Sequence, residues 1–342
     1  MLAQGMMPEL VSIAEVKRLH TSKLFGSKNV VACGVGFKET GGKLTDEPCI
    51  VVSVRKKLPK EQLTARDFIP QTLDAVKTDV QESGVFRALQ VGAGPGLKGR
   101  YRPAMPGVSC GHVDVSAGTF GCLVRRGKRV FILSNNHVLA NVNKASKGDA
   151  IIQPGQYDGG TNGDRIAVLE AWVPLQMGVQ ESTCPWAKTL ANVLNALAKA
   201  VGSTSRLGTW QEKPAENLVD CAIARPLSAD LVRPDILEIG APQGVGVGVL
   251  GMAVQKMGRT TGYTTGRITQ VDVTVQVDYA GQMVTFVDQF MATGMSAGGD
   301  SGSAVLDMER KVIGLLFAGS EAATLINPIQ PVLEALHVDL VV

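Results

Sequence analysis

From about residue 109 to its end the chain alternates short apolar runs with glycine- and proline-bearing turns, and it rarely sustains a helical repeat. Runs of this kind bury a face only by pairing with one another, so this pattern constrains the fold more than any other feature. The clearest instance is Thr119-Phe-Gly-Cys-Leu-Val124, a turn at Arg125-Arg-Gly-Lys128, and Arg129-Val-Phe-Ile-Leu-Ser134, which together predict a hairpin. Further strands are expected over 165–172, 217–224, 265–277, 283–291, 302–307 and 311–317, with a short helix over 328–337. The totals of 39 Gly and 16 Pro fit a fold of strands and tight turns. One long exception, Trp186–Val201, carries apolar residues at helical spacing and reads as an insertion packed on the strands, with a partner or lid helix as the other reading.

The first 90 residues have a different texture. An amphipathic helix over 8–24 precedes strands over 29–37 and 48–54, joined around Gly41-Gly42, and a further strand over 74–80. They are expected to form a small α+β module, followed by a Gly/Pro-rich linker over 91–108 and a large domain over 109–342. Inside the linker, Gly94-Pro-Gly-Leu-Lys-Gly99 matches the dinucleotide fingerprint by letter. No helix opens after it and Pro103 and Pro106 follow, so the context excludes that site.

Charge and cysteine usage narrow the function. The 342 residues carry a net charge of +3 and 5% aromatic side chains, which leaves no electrostatic or stacking footprint for nucleic acid. No apolar run is long enough to span a membrane, and Glu9, Glu15, Lys17 and Arg18 interrupt any secretory core near the start. Six cysteines are too sparse for a disulfide framework and fit no zinc spacing, so a cytoplasmic protein with free thiols is expected. Cys110 and Cys122 could face each other across a hairpin, but no bridge is assumed.

Two segments carry chemistry. Phe131-Ile-Leu-Ser-Asn-Asn-His137 sets a histidine just past an apolar strand, and none of His20, His112 and His337 is so placed. Gly298-Gly-Asp-Ser301-Gly-Ser-Ala-Val305 sets a serine in a turn whose glycines let backbone N–H groups approach a bound oxygen. A serine hydroxyl needs a base such as imidazole, and the imidazole needs a group to orient it. Asp220, in the apolar run Asn217-Leu-Val-Asp-Cys-Ala-Ile-Ala224, is the favoured carboxylate, because a charge there demands a partner. Asp164 and Asp149 are rivals in polar turns.

The order His137, Asp220, Ser301, the Ser134-x-Asn-His start and the Gly-Asp-Ser-Gly turn resemble the chymotrypsin-like (trypsin-fold) serine proteases. Gly258-Arg-Thr-Thr-Gly262 and the run Val312–Ser320 are similar to bacterial members. The ending Asn327-Pro-Ile329 with Val332-Leu-Glu-Ala-Leu336 resembles a subgroup that includes the plant narrow-leaf proteins.

The resemblance implies a mainly β fold of two six-stranded antiparallel barrels, about 109–240 and 245–342. It implies a regulated serine endopeptidase of limited specificity in which Ser301 attacks, His137 shuttles the proton, Asp220 orients the imidazole, and the Gly299 and Ser301 N–H groups form the oxyanion hole. Protein or peptide substrates are expected, and neither metal nor organic cofactor is called for. Met295, six before the serine, falls at the base of the family's specificity pocket and speaks for an apolar or small side chain rather than Lys or Arg. No Ile-Val-Gly-Gly-like start lies near 109, so Asp300 must find a partner other than a freed N-terminus. The alternative is a catalytically silent scaffold that binds peptides or partner proteins. The N-terminal module admits three roles: an inhibitory pro-region, a surface for partners or homo-oligomers, or a completion of the protease core.

Overall fold

A computed structural model describes residues 7–65, 67–88, 97–212 and 215–342. Its first barrel comprises Ser109–His112, the run from Gly118–Thr119 to Cys122–Arg126, Arg129–Ser134, Ala150–Ile152, Arg165–Trp172 and Ala222–Pro226, all paired antiparallel. It closes because residues 118–126 are one continuous run that bends at Gly121. One end of the run pairs with Ser109–His112 and the other with Arg129–Ser134. A Cβ on Gly121 would stand 2.2 Å from the Gly302 carbonyl, so the bend also lets this barrel press against the serine turn. The predicted hairpin turns at Gly127, whose φ of +59° a side chain would disfavour.

The second barrel closes in the order Ala253–Gly258, Gly262–Tyr279, Gln282–Thr293, Ala323–Pro328, Lys311–Gly319, Ala304–Asp307 and back to Ala253–Gly258. The architecture is therefore the expected one, mainly β with two six-stranded antiparallel barrels.

The N-terminal elements are joined to this second barrel. The helix Pro8–Leu24 starts on a proline, with Glu9 in its first turn and Lys23 in its last, matching the helix dipole. Strand Val30–Thr40 pairs with Lys43–Val54 around Gly41-Gly42 and, on its other edge, with Gly262–Tyr279, where Ala32 faces Val275 and Gly36 faces Gln270. The long strand is irregular there: Asp272 has φ +51°, and its buried carboxylate takes Lys17 at 3.1 Å and Arg18 at 3.0 Å from the helix. Leu10, Ile13 and Ile50 share one apolar core with Ile268, Phe290 and Val305.

Of the expected linker, residues 91–96, including the start of the Gly94 motif, lie outside the described residues. Residues 97–108 run along the barrels with Ala104 and Val108 fully buried, and the Leu97 N–H donates to the Arg259 carbonyl at 2.8 Å.

The helix expected as a packed insertion does form, over Pro185–Ala200, but Ala191 alone of it is buried. Trp186 is 85% exposed, and Leu190, Leu194 and Leu197 stand out with it. Helical spacing reveals that an apolar face exists, not what covers it. No described helix is long and apolar enough to cross a membrane.

Candidate active site

His137 lies in the short helix Asn136–Leu139 that follows strand Arg129–Ser134. The two asparagines before it hold the turn. Asn135 Nδ2 donates to the Asp220 carbonyl at 2.8 Å, and Asn136 Nδ2 donates to the Asn143 side chain and the Val173 carbonyl, each at 2.7 Å. Asp220 was expected inside a strand. It sits instead between Glu216–Asn217 and Ala222–Pro226, because side chains rather than a ladder take its backbone: its N–H donates to Asn327 Oδ1 at 2.9 Å.

The fully buried Asp220 carboxylate meets His137 Nδ1 at 2.5 Å and accepts the His137 backbone N–H at 3.2 Å. Such a contact fixes the ring's tilt and its tautomer. The other ring nitrogen, Nε2, is buried with no hydrogen-bond partner among the described residues.

A third group on Asp220 went unnoticed in the sequence. Tyr279, at the end of the long strand, donates its hydroxyl to Asp220 Oδ2 at 2.6 Å and sets its ring edge-on to His137, centroids 5.8 Å apart. Burial, then the Asp220 charge, push the tyrosine hydroxyl well above its ordinary pKa, which keeps it a donor. No local motif marks this residue, since its contact depends on a strand end nearly 60 positions downstream of its partner. Tyr279→Phe is expected to cost about 1.5–3 kcal/mol in urea unfolding, the usual value of a hydrogen bond to a buried charge. A change under ~0.5 kcal/mol would show that the carboxylate does not depend on it.

Ser301 comes from the second barrel and is 1% exposed. Its turn needs left-handed backbone at Gly299 (φ +98°) and Gly302 (φ +95°), and a Cβ on the latter would stand 2.0 Å from Ser134 Oγ. Thr119 of the first barrel clasps the turn, its Oγ1 donating to the Gly299 carbonyl at 2.9 Å and its N–H to the Ser301 carbonyl at 2.8 Å. The Gly298 carbonyl accepts Thr260 Oγ1 at 2.6 Å, so the planar trans peptide aims the Gly299 N–H the opposite way. Ser301 Oγ itself donates to the Phe317 carbonyl at 3.3 Å.

Asp300 has partners within the fold. Oδ1 accepts the Thr260 N–H at 2.8 Å and the Thr261 N–H at 3.2 Å. Oδ2 accepts Thr261 Oγ1 at 2.7 Å and the Ala297 N–H at 3.0 Å, with Lys256 Nζ at 3.3 Å. Burial holds the Lys256 amine below its ordinary pKa even as Asp300 draws it up. The Gly258-Arg-Thr-Thr-Gly262 segment is thus the cradle of the acid before the serine. Beneath it, buried Arg259 pairs with Asp158, which also accepts Ser109 Oγ at 2.6 Å, tying the two barrels together.

The rival carboxylates lie elsewhere. Asp149 meets His112 Nε2 at 3.1 Å, and Asp164 caps the Thr161 turn beside Arg100. Met295 is 4% exposed and packs in the core, where a Cβ on Gly266 would touch its sulfur. Its neighbours Ser296 and Ala297, with residues 319–322 and part of 82–88, line an open cleft of ≈ 860 Å³.

Sequence comparison meets this geometry at both ends of the chain. Residues 201–337 match the model of peptidase family S64, a stretch that contains Asp220 and Ser301, and residues 7–85 match the NARROW LEAF 1 N-terminal domain. The chain resembles the chymotrypsin-like serine proteases. Similar solved structures include Thermobifida fusca protease A, at 19% identity over 70% of this chain and 99% of that one, with TM-score 0.45. A glutamic acid specific serine protease matches at 19% identity over 70% and 100%, also with TM-score 0.45. Cellulomonas bogoriensis chymotrypsin matches at 16% over 69% and 97%, with TM-score 0.41. No curated protein matches the chain. The serine-protease likeness rests on the S64 match together with two closed barrels that bring a histidine–aspartate pair and a serine turn to their junction.

Proposed function

We propose that this chain is a serine endopeptidase that cleaves peptide bonds in proteins or peptides through an acyl-enzyme. One observation carries the reading. A buried His137–Asp220 pair leaves its outer nitrogen Nε2 unpartnered at the junction of two barrels, the second of which presents a serine in a glycine turn.

Ser301 Oγ attacks the scissile carbonyl as His137 Nε2 takes its proton, and the imidazolium formed is stabilised by Asp220. The proton then passes to the leaving amine, and water releases the acyl group by the same path. The Gly299 and Ser301 N–H groups receive the oxyanion, a pair in which one donor is typically worth about 100- to 1,000-fold in turnover. In the resting state the hydroxyl must first turn from the Phe317 carbonyl toward Nε2, a side-chain rotation that breaks only a 3.3 Å hydrogen bond. Met295 shapes the pocket from behind, through the backbone leading to Ser296 and Ala297.

Six free thiols, five of them buried, support a reducing, cytoplasmic setting. The shared sheet and core support the third role for the N-terminal residues, completion of the protease body.

The hydroxyl's bond to Phe317 rather than to His137 is what favours the other reading, a silent peptide-binding scaffold. Fluorophosphonate labelling separates the two. Intact mass is expected to show one adduct on the wild-type chain and none on His137→Ala, since only an activated serine reacts. An unlabelled wild type would leave the scaffold.

A further inference from the structure

The strand Lys311–Gly319 pairs with Ala323–Pro328 on one edge from Gly314 to Gly319. On the other edge Ala304–Asp307 pairs only as far as Leu315. The serine turn continues along that same edge: the Leu316 N–H donates to the Ser303 carbonyl at 2.9 Å, the Gly302 N–H to the Leu316 carbonyl at 2.8 Å, and Ser301 Oγ to the Phe317 carbonyl. Positions 318 and 319 come next. An extended peptide whose carbonyl is to meet Ser301 approaches along these two positions, adding itself to the sheet as a strand.

They are already taken. Strand Arg87–Ala88 pairs antiparallel there, Ala88 opposite Ala318 and Arg87 opposite Gly319, so the chain direction runs toward the serine. The segment is fastened on its other side. The Phe86 carbonyl accepts the Asp278 N–H at 3.0 Å, and the Phe86 ring is fully buried in the apolar cluster of Tyr279, Phe286 and Phe317. It is extended and antiparallel to that edge, as an added peptide strand would be, yet it belongs to the chain itself.

Building on the serine-peptidase reading, we propose that Phe86–Ala88 is a specificity-determining segment of the cleft: it occupies the strand edge that an extended substrate would use, so this conformation accepts short acyl groups and turns away extended chains. An extended substrate competes with a tethered occupant, and its apparent affinity falls by the fraction of molecules in which the segment is displaced.

The test compares two esters with the same leaving group and acyl residue, one N-acetylated and one carrying four further residues, with Ala, Leu and Phe as the acyl residue in turn. In the wild type, extension is expected to change kcat/KM less than threefold. In Phe86→Ala, which removes the anchor, and in Ala88→Pro, which disrupts the pairing at the margin of the same apolar cluster but keeps the anchor ring, the extended-to-short ratio is expected to rise tenfold or more. Each ratio is internal to one protein, and the fluorophosphonate labelling rate reports whether that variant's serine is intact. A wild type that already gains tenfold from extension overturns the proposal. So does an unchanged ratio in a variant that still labels, which would leave the peptidase reading standing. Absence of labelling in the wild type and both variants overturns the peptidase reading and this proposal together.

Discussion

Ser301→Ala is expected to lower turnover of an activated ester by about a millionfold, the loss seen when a triad nucleophile is removed. The melting temperature should stay within about 2 °C of wild type. The two halves follow from the same geometry. Chemically, Ser301 supplies a hydroxyl from the Gly299–Gly302 turn at the barrel junction, where His137 Nε2 has no hydrogen-bond partner among the described residues. Structurally, the lost oxygen makes one hydrogen bond, to the Phe317 carbonyl at 3.3 Å, near the long end of the useful range. Forfeiting it costs roughly 1 kcal/mol or less, worth about 2 °C at most in a chain of this size. Initial rates and calorimetry on the same preparation make the comparison. Parallel loss of folding and activity would mark Ser301 as a structural serine, and retained turnover would move the nucleophile elsewhere.

Asp220→Asn is expected to cost about four orders of magnitude in the same assay, because an amide facing Nδ1 favours the wrong imidazole tautomer. The fold should survive: with the amide nitrogen in the place of Oδ2, the amide oxygen still accepts the His137 backbone N–H as Oδ1 does, and the Asp220 backbone contacts with Asn135 and Asn327 do not involve the carboxylate. The labelling rate of the purified variant against pH, with circular dichroism as a control, checks this. A loss under tenfold would show that Asp220 does no more than fill space beside His137.

What the sequence could reveal follows from how local each signal is. Many barrel strands announce themselves by alternation and turns, and the 119–134 hairpin is legible from sixteen consecutive letters, whereas Ser109–His112, Ala150–Ile152, Ala253–Gly258 and Ala323–Pro328 went unread. His137 and Ser301 sit in short segments whose neighbours already tell what the backbone must do. Asp220 could be picked out as a charge in an apolar run, though its backbone left the ladder to serve Asn135 and Asn327. Tyr279 and Lys256 were invisible, since each matters only through a residue far away in the chain. The same holds for Val30–Thr40: alternation predicts a strand with two edges, but nothing local says that Gly262–Tyr279 takes one of them. The Pro185–Ala200 helix is the converse case, a correct local pattern whose partner was wrongly supplied by assumption.

The pairing of Val30–Thr40 with Gly262–Tyr279 has a consequence for synthesis. The hairpin of residues 30–54 leaves the ribosome roughly 240 residues before the strand that must lie against it. At about 5–20 residues per second, that is on the order of ten to fifty seconds with an open, apolar strand edge and the Lys17 amine still waiting for Asp272. Closing a loop of that size comes late, so the whole first barrel has time to form before the beginning of the chain finds its place. Until then the waiting edge is open to pairing with other chains, so a chaperone that shields unpaired strands is expected to raise the folded yield.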